Sequence, residues 1–160
     1  VDFETEPALR RPCDTRLVRV ALLGFGLIGG SIARALRRDT GPWTIAAWSP
    51  SGVGPRRALD GGVIELAASS STEAIEGADL VVLASPPLSC LSLIDELAGT
   101  LAEALSPNAL VTDVASTKDV IGRRADDAGL RFVGGHPMAG SQVTGYETAS
   151  ADLFDGRPWV

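Results

Sequence analysis

The sequence predicts an α/β fold: a doubly wound, mostly parallel sheet with helices on both faces. Three observations predict it. Short apolar runs rich in Val, Leu and Ala alternate with longer amphipathic stretches, the strand–helix rhythm of a parallel sheet covered on both faces. Glycines cluster directly after the first apolar run, where the chain has to turn sharply from strand into helix. The chain has 160 residues, 45% of them hydrophobic and 21% charged, which suits one globular domain with a sizeable core and excludes a disordered chain.

The elements follow in order. Leu17–Gly24 (LVRVALLG) is a buried strand. In Leu27–Arg38 the apolar Ile28, Ile32, Ala35 and Leu36 recur at helical spacing, and Arg34, Arg37 and Arg38 lie toward the end where the helix dipole favours cations. Thr44–Trp48 is a second strand, and Pro55–Leu59 a short helix ended by Gly61-Gly62. Asp79–Ala84 is a third strand, Leu88–Leu105 a long helix after Pro86-Pro87, and Ala109–Val114 a further strand. Thr117–Ala128 reads as a helix closed by Gly129, and Arg131–Val133 as a short strand. Arg157–Val160 looks like the opening of another strand. Residues 1–16, charged and carrying Pro7 and Pro12, read as a loose tail, so the domain runs from 17 to 160.

A formal net charge of −6 without a basic run argues against nucleic acid or an anionic membrane as partner. No stretch is long and apolar enough to span a membrane. Cys13 and Cys90 lack the spacing of a metal framework, and no metal site is expected. Free thiols suit a reducing, cytoplasmic setting.

Gly24-Phe25-Gly26-Leu27-Ile28-Gly29 is a GxGxxG between a predicted strand and a predicted helix, the context in which that spacing cradles a pyrophosphate. Gly24 permits the tight turn, Gly26 lets phosphate approach the backbone, and Gly29 lets helix pack on strand. The helix N-terminus offers free N–H groups to the phosphates. This makes the sheet a Rossmann-type, NAD(P)-binding one. An acidic residue expected about 20 positions on, to hold the ribose, is missing, and Ser49 stands there. With Arg56 and Arg57 nearby, the cofactor tilts toward NADP, with NAD as the alternative. Ser85 and Pro86, at the end of the third strand, complete the candidate cofactor contacts.

Ligands of such sheets sit beyond the carboxyl ends of the strands. The only lysine, Lys118, and the only histidine, His136, fall in two such loops, DVASTK (113–118) and GGHPMAGS (134–141). Small residues around His136 leave room for a ligand, and Pro137 restricts it to extended conformations. An imidazole titrates near neutrality, which suits general base work.

These blocks, GFGLIGGS (24–31), DVASTK and GGHPMAGS, together with the tail from Gly145 to Val160, resemble the nucleotide-binding domain of prephenate and arogenate dehydrogenases over about residues 17–160. The resemblance implies NAD(P)-dependent oxidative decarboxylation in tyrosine biosynthesis. A hydride goes to nicotinamide, carbon dioxide leaves, and the ring becomes aromatic. It implies that His136 accepts the proton of the ring hydroxyl and that Ser116 lies between that hydroxyl and the nicotinamide. An N-cap on the following helix is the other reading of Ser116. Ser141 and Gln142 would line the substrate pocket, and some relatives carry Glu in place of Gln142. Family members continue into a helical domain that brings a substrate-binding arginine and most of a homodimer contact, and that domain is expected to lie outside these residues. Two other readings stand beside this one: another Rossmann hydroxyacid or imine dehydrogenase, and a dinucleotide-binding module without turnover.

Overall fold

The computed structural model describes residues 17–140 and 144–160. The expected tail at 1–16, with Cys13, lies outside the described residues, as do Ser141 and Gln142.

Six strands form one sheet in the order β3-β2-β1-β4-β5-β6, and every pair is parallel. The strands are β1 (Val18–Leu23), β2 (Trp43–Trp48), β3 (Leu66–Ala67), β4 (Leu80–Leu83), β5 (Leu110–Asp113) and β6 (Phe132–Val133). The helices are α1 (Leu27–Arg38), α2 (Val53–Asp60), α3 (Ser71–Ile75), α4 (Pro87–Ala98) and α5 (Lys118–Asp127). The chain order reverses between β1 and β4, and this opens a crevice at their carboxyl ends.

Apart from Arg19 near its start, β1 is apolar because both its faces are covered, and Val20 to Leu23 are buried. Val20 and Leu22 join Ile45, Val82 and Ala33 on one side. Ala21 and Leu23 join Ile94 and Leu97 of α4 and Ile121 of α5 on the other. The expected class therefore stands, and the described sheet is wholly parallel.

Three elements depart from expectation. The region between α2 and β4 holds β3 and α3, neither of which was expected. Ser70 caps α3 by accepting from the Glu73 N–H at 3.1 Å, and the Glu73 carboxylate accepts from both the N–H and the hydroxyl of Ser69 at 2.7 Å. Those bonds hold the Glu73 carboxyl below the usual carboxylate range. The long helix ends at Ala98 rather than Leu105, with Gly99 as its cap. Leu101 is buried from within the turns that follow, so the apolar spacing outlasts the helix.

The last residues add no parallel strand. Arg157–Val160 runs antiparallel to the loop after β6: the His136 N–H donates to the Val160 carbonyl at 2.7 Å, the Val160 N–H to the His136 carbonyl at 3.0 Å, and the Met138 N–H to Pro158 at 2.9 Å.

Before that ribbon, residues 145–157 strap across α1 and α2. Tyr146 is buried, the Ser150 N–H donates to the buried Ser31 hydroxyl at 3.0 Å, Arg38 pairs with Asp152 and Asp155, and Arg57 pairs with Glu147. The arginines placed at the end of α1 by their dipole preference are thus tethers: Arg37 binds the Val63 carbonyl and Glu65, and Arg38 holds the strap. Within α1, Gly30 makes room for the strap, since a Cβ there would lie 2.7 Å from the Tyr146 ring.

Candidate functional site

A cleft of about 480 Å³ opens at the β1–β4 crevice. Gly24, Phe25 and Gly26 form its floor, Trp48 and Ser49 one wall, and Ser85 and Pro86 with the Ser89–Leu93 face of α4 the other. The three glycines of the loop do different work. Gly24 has φ of +102°, and a Cβ there would also collide with the Ala84 carbonyl. A Cβ on Gly29 would strike the Gly24 carbonyl, so this glycine serves the contact of helix and strand. Gly26 alone has nothing within 4 Å of its missing Cβ, which points into open cleft. It also begins α1 with no side chain capping the first turn, leaving N–H donors for a ligand. A pyrophosphate fits that combination of bare backbone and uncapped helix.

Of the other loop positions, Phe25 is buried, lines the cleft and stacks its ring on Tyr146. Leu27, Ile28 and Gly29 do not line the cleft. Ser85 lines it, but its hydroxyl donates to the Leu23 carbonyl at 3.0 Å and ties the ends of β4 and β1 together.

A second hollow of about 300 Å³ adjoins the first at the end of β2. Ser49 and Arg56 both line it, with Trp48, Ser51 and Ser69. Arg56 is exposed and makes no ion pair among the described residues, whereas Arg57 is engaged by Glu147.

His136 lies elsewhere on the same edge. It lines a hollow of about 460 Å³ with Lys118, Phe132 and Val160, on the β6 side of β5. Ser116 is exposed in the loop after β5. It does not cap α5: the N-cap is Thr117, and no side chain bonds into that first turn. Among the described residues no hydrogen bond joins His136 to Ser116 or to the glycine loop. Sheet order puts the end of β5 between the cradle and His136.

Asp113 was not expected to be central. It ends β5, is fully buried, and binds Lys118 with both oxygens at 2.5 Å. Its pairing was visible only as the DxxxxK spacing. Trp48 and the Ser89–Leu93 face were likewise missed, although both lie at positions that sheet order makes cleft walls. No group of metal-ligating side chains occurs among the described residues.

The family model described as prephenate dehydrogenase, nucleotide-binding domain, matches residues 32–160. The prephenate dehydrogenase of Bacillus subtilis (strain 168) is 37% identical over 144 residues, 88% of this chain and 38% of that protein. Among solved structures, prephenate dehydrogenase from A. aeolicus in complex with hydroxyphenyl propionate and NAD+ superposes with a TM-score of 0.78 at 32% identity, covering 90% of this chain and 50% of that one. Synechocystis arogenate dehydrogenase does so with 0.77 at 30%, covering 89% and 49%. The chain spans about two fifths of the length of the curated relatives it matches.

Proposed function

The chain belongs to the prephenate dehydrogenase family, as its nucleotide-binding domain, and on that premise we propose that this protein oxidatively decarboxylates prephenate or arogenate with a nicotinamide dinucleotide. The observation that carries the reading is the shared edge. An open glycine cradle at Gly26 and a backbone-clamped His136 lie at the carboxyl ends of one parallel sheet.

The bound dinucleotide supplies a hydride acceptor. The chain's own residues do the rest. Gly24 and Gly26 with the first turn of α1 hold the pyrophosphate. Ser85, Pro86 and the α4 face would wall the cleft around the bound group. Ser116, free of any capping duty, faces the same edge. His136 takes the hydroxyl proton as hydride leaves the carbon that bears it, and loss of carbon dioxide then completes the aromatic ring, so the protein's task is mostly orientation. Ser141 and Gln142, outside the described residues, belong to the substrate side in this reading. Ser49 and Arg56 around one hollow support NADP binding at least as tightly as NAD. A cytoplasmic location and pairing of two copies complete the proposal.

The test is reduction of NAD and of NADP, followed by absorbance of the reduced nicotinamide, with prephenate and with arogenate as substrates. Reduction with either substrate supports the reading. Dinucleotide binding without turnover of either would replace it with the binding-module reading. Turnover of a hydroxyacid or imine in their place would assign the chain to another dehydrogenase activity.

A further inference from the structure

We propose that Asp113 and Lys118 are positioning residues that fix the backbone on the N-terminal side of His136, so that turnover depends on them through His136 alone. The inference rests on the proposed role of His136.

Asp113 is fully buried at the end of β5. A carboxylate in that setting survives only if it is paired and hydrogen-bonded. Its two oxygens take Lys118 Nζ at 2.5 Å each, the Ala115 N–H at 3.0 Å and the Gly135 N–H at 3.3 Å. Lys118 Nζ then donates to the Gly135 carbonyl at 2.7 Å. An ammonium has three protons. Two oxygens of Asp113 and one of Gly135 account for all of them, leaving none for a substrate or a phosphate.

Both polar groups of Gly135 are therefore held by one ion pair, its carboxylate buried and its ammonium partly exposed. Gly135 cannot carry a side chain either, because a Cβ would lie 2.6 Å from Trp159 Nε1 and 3.1 Å from the Asp113 carbonyl. The next residue is His136, whose own N–H and carbonyl are both held by Val160. With two successive residues clamped, the imidazole is the part of His136 left without a partner in the described contacts. The arrangement spends a fully buried carboxylate, a costly device, on holding the backbone at Ala115 and Gly135.

Three roles for Lys118 give different kinetics. A ligand-binding cation, once removed, raises KM or weakens dinucleotide binding. A purely structural lysine lowers the amount of folded protein, and its loss acts alike whether or not His136 is present. A positioning residue lowers kcat with KM unchanged and has nothing left to lose once His136 is gone.

The experiment compares Lys118→Met with the pair Asp113→Asn/Lys118→Met, which avoids an unpaired buried charge if the single variant fails to fold. Each is made with His136 intact and in a His136→Asn background. With His136 intact, kcat is expected to fall about 10²-fold, the cost of a misplacement on the order of an ångström. KM and dinucleotide affinity should stay within about twofold, and in the His136→Asn background the further fall should be under about threefold. In parallel, amide hydrogen exchange at Gly135 and His136 should accelerate at least about tenfold while Leu22 and Val82 in the sheet centre stay protected. An equal fall in both backgrounds, a tenfold rise in KM, or unchanged exchange at Gly135 and His136 overturns the inference. If the unaltered protein turns over neither substrate, the proposed function falls and exchange alone decides the clamp: faster at these two amides upholds it, unchanged overturns it.

Discussion

The ring of Tyr146 stacks on that of Phe25, centroids 5.3 Å apart and planes 25° from parallel. Phe25 lies inside the glycine loop, so the loop's inner face is braced by a residue far along the chain. The Arg34 guanidinium lies 4.8 Å over the Tyr146 ring, and Gly54, like Gly30, leaves space for it. Tyr146→Ala should destabilise the fold by about 3 kcal/mol, in the range for deleting a buried aromatic ring. It should also weaken dinucleotide binding, because Phe25 loses its backing. Tyr146→Phe keeps the stack and should cost under about 1 kcal/mol, consistent with a ring that acts by packing. Urea unfolding and calorimetric titration of the two variants check this.

The glycine loop should separate into a ligand position and two folding positions. Gly26→Val adds a side chain in open space, so the melting temperature should hardly move while dinucleotide binding is lost. Gly29→Ala forces a Cβ into the Gly24 carbonyl and should cost about 1–3 kcal/mol of stability. Thermal unfolding with and without cofactor distinguishes them. A Gly26→Val protein that binds NAD(P) normally would reduce the loop to a turn.

Replacing His136 by Asn should leave dinucleotide affinity intact and lower turnover by about 10²–10⁴-fold, the usual share of general acid–base catalysis. Steady-state kinetics beside a binding titration measures both. Turnover within about threefold of the unaltered protein, about 0.6 kcal/mol, would remove His136 from the chemistry.

Much of this was readable from residue order. The run VRVALL followed by GFGLIG marks β1, the cradle and α1 because a strand covered on both faces is apolar along its buried length, here Val20 to Leu23. Alternation of strands and helices led to the parallel sheet. What escaped was short or non-local. β3 has two residues, too few for any periodicity to register. α3 has five, although Ser70 and Glu73 spell a capping box that was there to be read. The end of α4 was overrun because Leu101 keeps apolar spacing beyond Gly99. Extended character in Arg157–Val160 was visible, but its pairing partner and direction are tertiary facts. So is the clamp on Gly135, which joins the end of β5, the start of α5 and the loop after β6.

Cys90 predicts a pH effect. Burial pushes its thiol above the ordinary range, and its Sγ–H donates to the Ser85 carbonyl at 3.2 Å, a bond only the neutral thiol can donate. The folded chain therefore holds this proton more tightly than the unfolded chain. Its contribution to stability is complete below the ordinary thiol range, about 8.5, and is lost as pH rises through the higher folded value. Urea midpoints should fall with pH across that alkaline window, and Cys90→Ala should flatten the fall. Alkylation of Cys90 at neutral pH should be slow until the protein unfolds.

In the proposed reading, cofactor choice turns on the hollow at the end of β2. A 2′-phosphate needs a cation and room, and NAD selection needs a carboxylate for the ribose hydroxyls. Here Ser49 brings no carboxylate, and Arg56 faces the same hollow without an ion pair among the described residues. Arg57, engaged by Glu147, is a poor second candidate. Arg56→Ala should weaken NADP binding by about tenfold, about 1.4 kcal/mol and within the range of a charge-assisted hydrogen bond, and leave NAD within about twofold. Ser49→Asp should act in the opposite sense on the two cofactors. Its carboxylate would repel the phosphate, compete for Arg56 and accept the ribose hydroxyls, moving preference toward NAD by tenfold or more, at least about 1.4 kcal/mol. Dissociation constants for both cofactors with all three proteins decide the matter. A tenfold preference for NAD in the unaltered chain, or an Arg56→Ala effect equal on both cofactors, would show that this hollow does not read the 2′ position.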